Sequence, residues 1–400
     1  MTFATTAVTS LQRRWLVALI LYLLVTGAVY LYLAERWVPA GRWLTLAILL
    51  GGLNLANLWW RLPLNRRAES GELLAGLGAG NWLTLSRGIA ISLTGAFLVA
   101  DRPAGSLAWL PVLFYTAADI ADYFDGYLAR RANHATQLGE YLDVSYDGLG
   151  MLLVSLLAVR FGQLPAWYLL LGLARYLFLI GIWLRQKLGW PVYPMHGSVH
   201  RRVFAGFQMG FMSVVLWPIV PPLPATIAGT IFALPTALGF LRDWFITAGT
   251  FAADNRTYRR VQQFLYFHST SWLPLLLRLT CVLALIWVFW RAAPIWQPAS
   301  WVELFTGWGL PLPALWATLC ALLGLVALFS QLLGAMTRVW SLFYLFPIGF
   351  DLLATGQSWL HLVAIAATCA LMILGPGWLA LWRPELPYIL RRAGESEPSA

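Results

Sequence analysis

Twelve runs of about 20 mostly apolar residues recur along this chain, near 15–34, 43–60, 83–100, 107–127, 139–159, 166–184, 203–220, 225–248, 273–290, 312–334, 339–354 and 359–382. A run of that length crosses the hydrocarbon of a bilayer as an α-helix, because lipid leaves every backbone polar group to be satisfied within its own segment. The fold class this predicts is all-α, a polytopic membrane helical bundle of about twelve transmembrane helices. A chain that is 60% hydrophobic and only 11% charged agrees, and excludes a cytosolic globule or a disordered chain. The first run follows Arg13 and Arg14 as a signal sequence would, yet it is long and lacks a small-residue cleavage site, so it reads as a retained anchor. Cys281, Cys320 and Cys369 all fall inside apolar runs and read as small buried hydrophobes.

The net charge of +10 would suggest nucleic acid in a soluble protein. Sorted by alternate loops it becomes an orientation signal instead. Eighteen of the 27 basic residues, from Arg13 and Arg14 to Arg391 and Arg392, fall on the side that carries both termini, five on the other, and Arg87, Arg175, Arg242 and Arg278 lie within spans. That bias places both termini at the cytoplasmic face of the cell membrane, with no nucleic acid as partner. Polar stretches at 61–81 and 249–272 separate three blocks, predicting a helix pair over 1–67, a six-span central block over 68–250, a cytoplasmic linker over 251–272, a four-helix block over 273–385 and a polar tail over 386–400. Within the first separator, ELLAGLGAG at 72–80 predicts a short interfacial helix.

Carboxylates are concentrated in one place. Residues 119–147 hold Asp119, Asp122, Asp125, Glu140, Asp143 and Asp147, six of the chain's 17 acidic residues within 29 positions. Each costs about 2.5–3.5 kcal/mol at a helix centre, so a cluster at the mouth of two spans calls for a compensating partner, and hard divalent cations with oxygen ligands supply one. At about 100° per residue, Asp122 and Asp125 lie about 60° apart on one helix and Asp143 and Asp147 about 40° apart on the next. Two adjacent helices thus aim four carboxylates into one gap. Gly126, Ala129 and Gly139 share those stripes, small enough for close backbone approach and for a ligand. Asp119 extends the first stripe one turn deeper, as an outer partner.

These residues resemble the signature of the CDP-alcohol phosphatidyltransferase family, D-x2-D-G-x2-A-R-x8-G-x3-D-x3-D, at every fixed position: Asp122, Asp125, Gly126, Ala129, Arg130, Gly139, Asp143 and Asp147. Asn81-Trp-Leu-Thr84-Leu-Ser-Arg87 is similar to the N-x-L-T-x-x-R stretch that opens the family's first span. The resemblance covers roughly residues 78–250, and it implies a six-helix catalytic core, a homodimer and two divalent ions, Mg²⁺ or Mn²⁺. Asp122, Asp125 and Asp143 are the implied metal ligands, and Asp147 is the implied ligand and catalytic base. Asn81, Thr84, Gly126, Ala129, Arg130 and Gly139 are the implied CDP contacts, and Arg87 an implied phosphate contact. Arg201 and Arg202 sit where the family has basic residues that touch a phosphate on the acceptor, but their segment departs from the commoner G-K-x-K-T-x-x-Q form. Positive-inside anchoring explains them equally.

The reaction so implied moves the phosphatidyl group of CDP-diacylglycerol onto a hydroxyl of a small alcohol, phosphorylated polyols included, and releases CMP by in-line displacement. Two alternatives stay open: an aminoalcohol phosphotransferase that acts on diacylglycerol, which shares the signature, and a membrane transporter, which would also use intramembrane carboxylates. Transporters usually show internal repeats, and none is evident. Arg175 and the Arg242–Asp243 neighbours read as structural pairs, and the five histidines as non-catalytic. The stretch LMILGPGWLALWRPE at 371–385 resembles the end of DoxX-type four-helix membrane proteins, and a scaffold role is the expectation for the outer blocks.

Overall fold

The computed structural model describes residues 2–194, 199–250, 260, 263, 264, 267–292 and 294–383, with the backbone alone at 2–5 and 199–202. Helix is the dominant element among them, and each of the twelve apolar runs falls on one. Eight of the described helices are long and apolar enough to cross a membrane. The chain is an all-α polytopic membrane bundle. Two compact units divide it: residues up to Ile180 with Met209–Ala225, and Gly181–Gln208 with the residues from Thr226 onward.

The first unit holds most of the candidate site residues, and Arg201 and Arg202 fall in the second. The first contains α1 (Thr2–Ala34), α2 (Ala40–Arg61), α3 (Gly78–Gly95), α4 (Leu110–Arg131), α5 (Gln137–Arg160), most of α6 (Leu169–Lys187) and the end of α7 (Val199–Val215). Leu16, Leu24 and Leu31 of α1 are half or more exposed, as lipid-facing side chains are. Its other face buries Leu11, Ala18 and Tyr22 against α2, where the Tyr22 hydroxyl donates to the Ala47 carbonyl and Trp15 Nε1 donates to Leu55 O at 2.8 Å. A Cβ on Gly51 would overlap the Tyr22 ring, so only glycine admits this contact. Polar cross-links then tie α2 to its neighbours: Asn54 Nδ2 donates to Ser92 Oγ at 2.7 Å, and the Tyr141 hydroxyl donates to Asn57 Oδ1 at 3.0 Å.

The interfacial helix expected at 72–80 does not form. Residues 71–77 are non-helical; Gly71 takes a φ of 70°, and Gly78, the first residue of α3, a φ of 75°. Glycine gives up the most conformational freedom on entering a helix, and the carbonyls of Leu74 and Gly76 are taken by Asn65 Nδ2, both at 2.8 Å. Apolar spacing was the weaker constraint there.

In the second unit, most of α8 (Pro222–Thr247) is followed, further along the chain, by α9 (Trp272–Arg291), α10 (Ala299–Gly307), α11 (Pro313–Leu333), α12 (Thr337–Thr355) and α13 (Trp359–Leu374). The short α10 has no counterpart among the twelve runs. The last run, expected to be helical to 382, stops at Leu374, because Pro376 offers no backbone donor and the glycines on either side, Gly375 and Gly377, take φ of 86° and 66°. The returning strand of chain is held by Arg278, 2% exposed, which donates Nε to Gln331 O at 2.7 Å, one terminal nitrogen to Leu332 O at 2.8 Å and the other to Trp378 O at 2.9 Å. Arg242 donates to Asp243 Oδ1 at 2.7 Å, the neighbour pair the sequence suggested. Buried His361 contacts Asp351 Oδ2 through Nε2 at 3.0 Å and joins Ser358 in a capping box at the start of α13.

Candidate active site

The site is built on α3, which packs most extensively against α4 and then α5. One stripe of α3, at Gly80, Asn81, Thr84, Arg87 and Gly88, faces both partners. A Cβ at Gly80 would stand 2.7 Å from Ala129 Cβ and 3.0 Å from Asp125 O, and one at Gly88 would stand 2.5 Å from the Tyr146 ring. Small residues at these positions let three backbones close around a polar centre.

Arg87 occupies that centre. One terminal nitrogen of its guanidinium lies 2.6 Å from Asp122 Oδ1, 2.7 Å from Asp143 Oδ1 and 3.3 Å from Asp125 Oδ2, and the other lies 2.6 Å from Asp147 Oδ1. Thr84 Oγ1 donates to Asp125 Oδ2 at 2.8 Å, fixing the carboxylate that is nearly buried. The side chains of Asp122, Asp143 and Asp147 keep 31%, 42% and 40% of their surface, whereas that of Arg87 keeps 2%. The carboxylates therefore form the accessible wall and the arginine its floor. Asp122, Asp143 and Asp147 each offer an oxygen within 4.8 Å of the others, a set that could hold a metal ion. An all-carboxylate donor set of this spacing fits hard divalent cations. The buried Arg87 Nε has no hydrogen-bond partner, so the carboxylates alone dictate where the guanidinium points.

The remaining sequence candidates take different places. Asn81 and Thr84 are buried, and Asn81 bonds within the protein, donating Nδ2 to Asn65 Oδ1 at 3.1 Å and to Thr136 Oγ1 at 2.9 Å. Gly139 lies under Asn81, whose Oδ1 would be 2.5 Å from a Cβ there. Arg130 is exposed at the end of α4, its guanidinium lying across Gly126. Asp119, one turn below Asp122, accepts from Ser213 Oγ at 2.8 Å. Arg175 runs over Gly148 on α5 and interacts electrostatically with Asp147. The side chains of Arg201 and Arg202 lie outside the described residues.

Two residues at this site had not been singled out. Thr136 is the N-cap of α5, its hydroxyl accepting from Gly139 N at 3.0 Å, and a threonine just before an amphipathic run is a readable cap signal. Asn65 carries no such local mark, since its partners lie 9, 11 and 16 positions away.

Residues 77–234 match the family model described as CDP-alcohol phosphatidyltransferase. Proteins named "Putative cardiolipin synthase" from Mycobacterium bovis and from two strains of Mycobacterium tuberculosis are each 30% identical over 132 residues, which is 32% of this chain and 61% of theirs. The chain thus spans 61% of the length of the curated relatives it matches. No solved structure matches it.

Proposed function

We propose that this chain, which carries a transferase domain of the CDP-alcohol phosphatidyltransferase family at residues 77–234, moves the phosphatidyl group of CDP-diacylglycerol onto an alcohol and releases CMP. The observation that carries this reading is the convergence of Asp122, Asp125, Asp143 and Asp147, from two helices, on one guanidinium. Nothing about a structural scaffold calls for four carboxylates at that spacing.

Asp122, Asp125, Asp143 and Asp147 would hold the pair of ions, Mg²⁺ or Mn²⁺. Bound there, the ions supply charge neutralisation on the pyrophosphate and polarise the attacked phosphorus. Asp147 takes the proton of the acceptor hydroxyl as its oxygen bonds to phosphorus, and the bond from phosphorus to CMP breaks on the opposite side. Arg130, exposed beside the small Gly126, offers its planar fork to a phosphate of the nucleotide. Arg87 restrains the four carboxylates from below and meets any phosphate that enters between them. Residues 68–250 form the catalytic core and the outer blocks its membrane scaffold, with the site open to the cytoplasm and the protein working as a homodimer. The acceptor is a small polyol, phosphorylated or carried on a lipid headgroup. The relatives' name puts phosphatidylglycerol on the panel, because cardiolipin is a glycerol joined to two phosphatidyl groups.

The test is product analysis with the purified full chain, CDP-diacylglycerol, Mg²⁺ or Mn²⁺, and a panel of glycerol phosphate, inositol phosphate, serine and phosphatidylglycerol. CMP and a new phosphatidyl lipid are expected, and Asp147→Asn should lose turnover while melting like the parent. CMP released only from CDP-choline or CDP-ethanolamine would assign the aminoalcohol reaction. Near-normal turnover in the Asp147→Asn protein would overturn the assignment of the base.

A further inference from the structure

We propose that Asn65, which lies outside the family-matched region, is a positioning residue for the nucleotide end of the site, acting through Asn81 and Thr136 on the first turn of α5. The inference rests on the reading of that turn as a CDP contact. Asn65 is fully buried and uses its whole amide. Nδ2 donates to Leu74 O and Gly76 O, both at 2.8 Å, which folds the 66–77 segment back on itself, and Oδ1 accepts from Asn81 Nδ2 at 3.1 Å. Asn81 spends its other amide hydrogen on Thr136 Oγ1 at 2.9 Å, and the same hydroxyl accepts from Gly139 N at 3.0 Å. Three side chains from three separate segments thus end on the Gly139 amide in the first turn of α5, one turn before Asp143 and two before Asp147.

The backbone repeats the connection. Ala68 N donates to Ala135 O at 3.0 Å and Gln137 N to Arg66 O at 2.9 Å, with an antiparallel bridge between Arg67 and Thr136. The loop between the two halves of the carboxylate motif is therefore braced by residues 65–68. Gly139 acquires a reason of its own: a Cβ there would meet Asn81 Oδ1 at 2.5 Å and break the relay, whatever ligand is bound.

The experiment compares Asn65→Ala, Thr136→Val and Thr136→Ser in the full chain, by amide hydrogen exchange without substrate and by steady-state kinetics with CDP-diacylglycerol. Asn65→Ala and Thr136→Val should each speed exchange at Gly139 and Glu140 by about fivefold to tenfold, the factor one net hydrogen bond is worth. Both should raise KM for the liponucleotide more than they lower kcat. Thr136→Ser keeps the hydroxyl and should behave as the parent, and the Asn65→Ala/Thr136→Val double variant should be no worse than the worse single one, as residues in one network are. If Asn65→Ala fails to fold, the Thr136 pair decides alone. Exchange that rises only over 66–77, a Thr136→Val protein with parental protection at Gly139, or strictly additive effects would overturn the proposal. A parent protein that releases no CMP would overturn the transferase reading instead, and the exchange arms would still decide the relay.

Discussion

Arg87→Met removes the charge that four carboxylates share while leaving an apolar stem in its place. Breaking a buried ion pair by deleting one partner costs about 3–5 kcal/mol. Asp122, Asp143 and Asp147 retain 31–42% of their side-chain exposure, so water takes up part of the loss. The lower end, about 3 kcal/mol, is the figure to expect. For a cooperative unit of roughly 200 residues that corresponds to a fall in Tm of roughly 6–12 °C. A divalent cation at the same carboxylates replaces the missing positive charge and, at about 100 times Kd, contributes about 2.7 kcal/mol per site. In the parent protein it must share the carboxylates with the guanidinium. The assay is a fluorescence melt of detergent-solubilised parent and variant, in EDTA and across a Mn²⁺ titration. The variant should melt lower in EDTA and gain more from Mn²⁺ than the parent does. A variant within about 2 °C of the parent in EDTA, less than about 1 kcal/mol at this size, would refute the reasoning. So would equal Mn²⁺ shifts in the two proteins.

Gly80→Val drives a side chain against Ala129 Cβ and Asp125 O, at 2.7 and 3.0 Å from the new Cβ. It should destabilise the first unit by roughly 1–3 kcal/mol and weaken Mn²⁺ binding as α3 and α4 part, both read by the same melts. Chelation with EDTA should stop CMP release, and Mg²⁺ or Mn²⁺ should restore it, measured by nucleotide chromatography. Arg278→Met leaves the carbonyls of Gln331, Leu332 and Trp378 without their donors, at about 1–3 kcal/mol for each buried group that finds no other. It should lower Tm while the Mn²⁺ shift stays parental.

Much of the site was legible because its information is local. Asp122 and Asp125, and Asp143 and Asp147, are spaced so that any helix puts each pair on one face, and the motif names them without reference to a partner. Thr136 was legible in principle, as a cap residue before an amphipathic run. Arg87 was visible as a charge inside a span, and the structure sets it among the carboxylates, 38 residues from Asp125 and 60 from Asp147. Asn65 and Arg278 were not legible in these roles, because most of their partners are backbone carbonyls that any residue type supplies, and the side-chain partner of Asn65, Asn81, lies 16 positions away. The failure over 72–77 has a related cause: apolar periodicity favours a helix there, but Asn65 offers the carbonyls of Leu74 and Gly76 a partner that a helix would have to exclude.

The sequence by itself determined the solvent and the element type. Runs of about 20 apolar residues must become helices in lipid, since no other arrangement satisfies their backbones locally, and the carboxylate spacing follows from the helical repeat. Tertiary structure decided what those carboxylates surround, which glycines are required by close approach, and that a segment before the family-matched region reaches the N-cap of α5. Such pairings depend on which helices meet, and that is settled by packing among distant segments, not by any period along the chain.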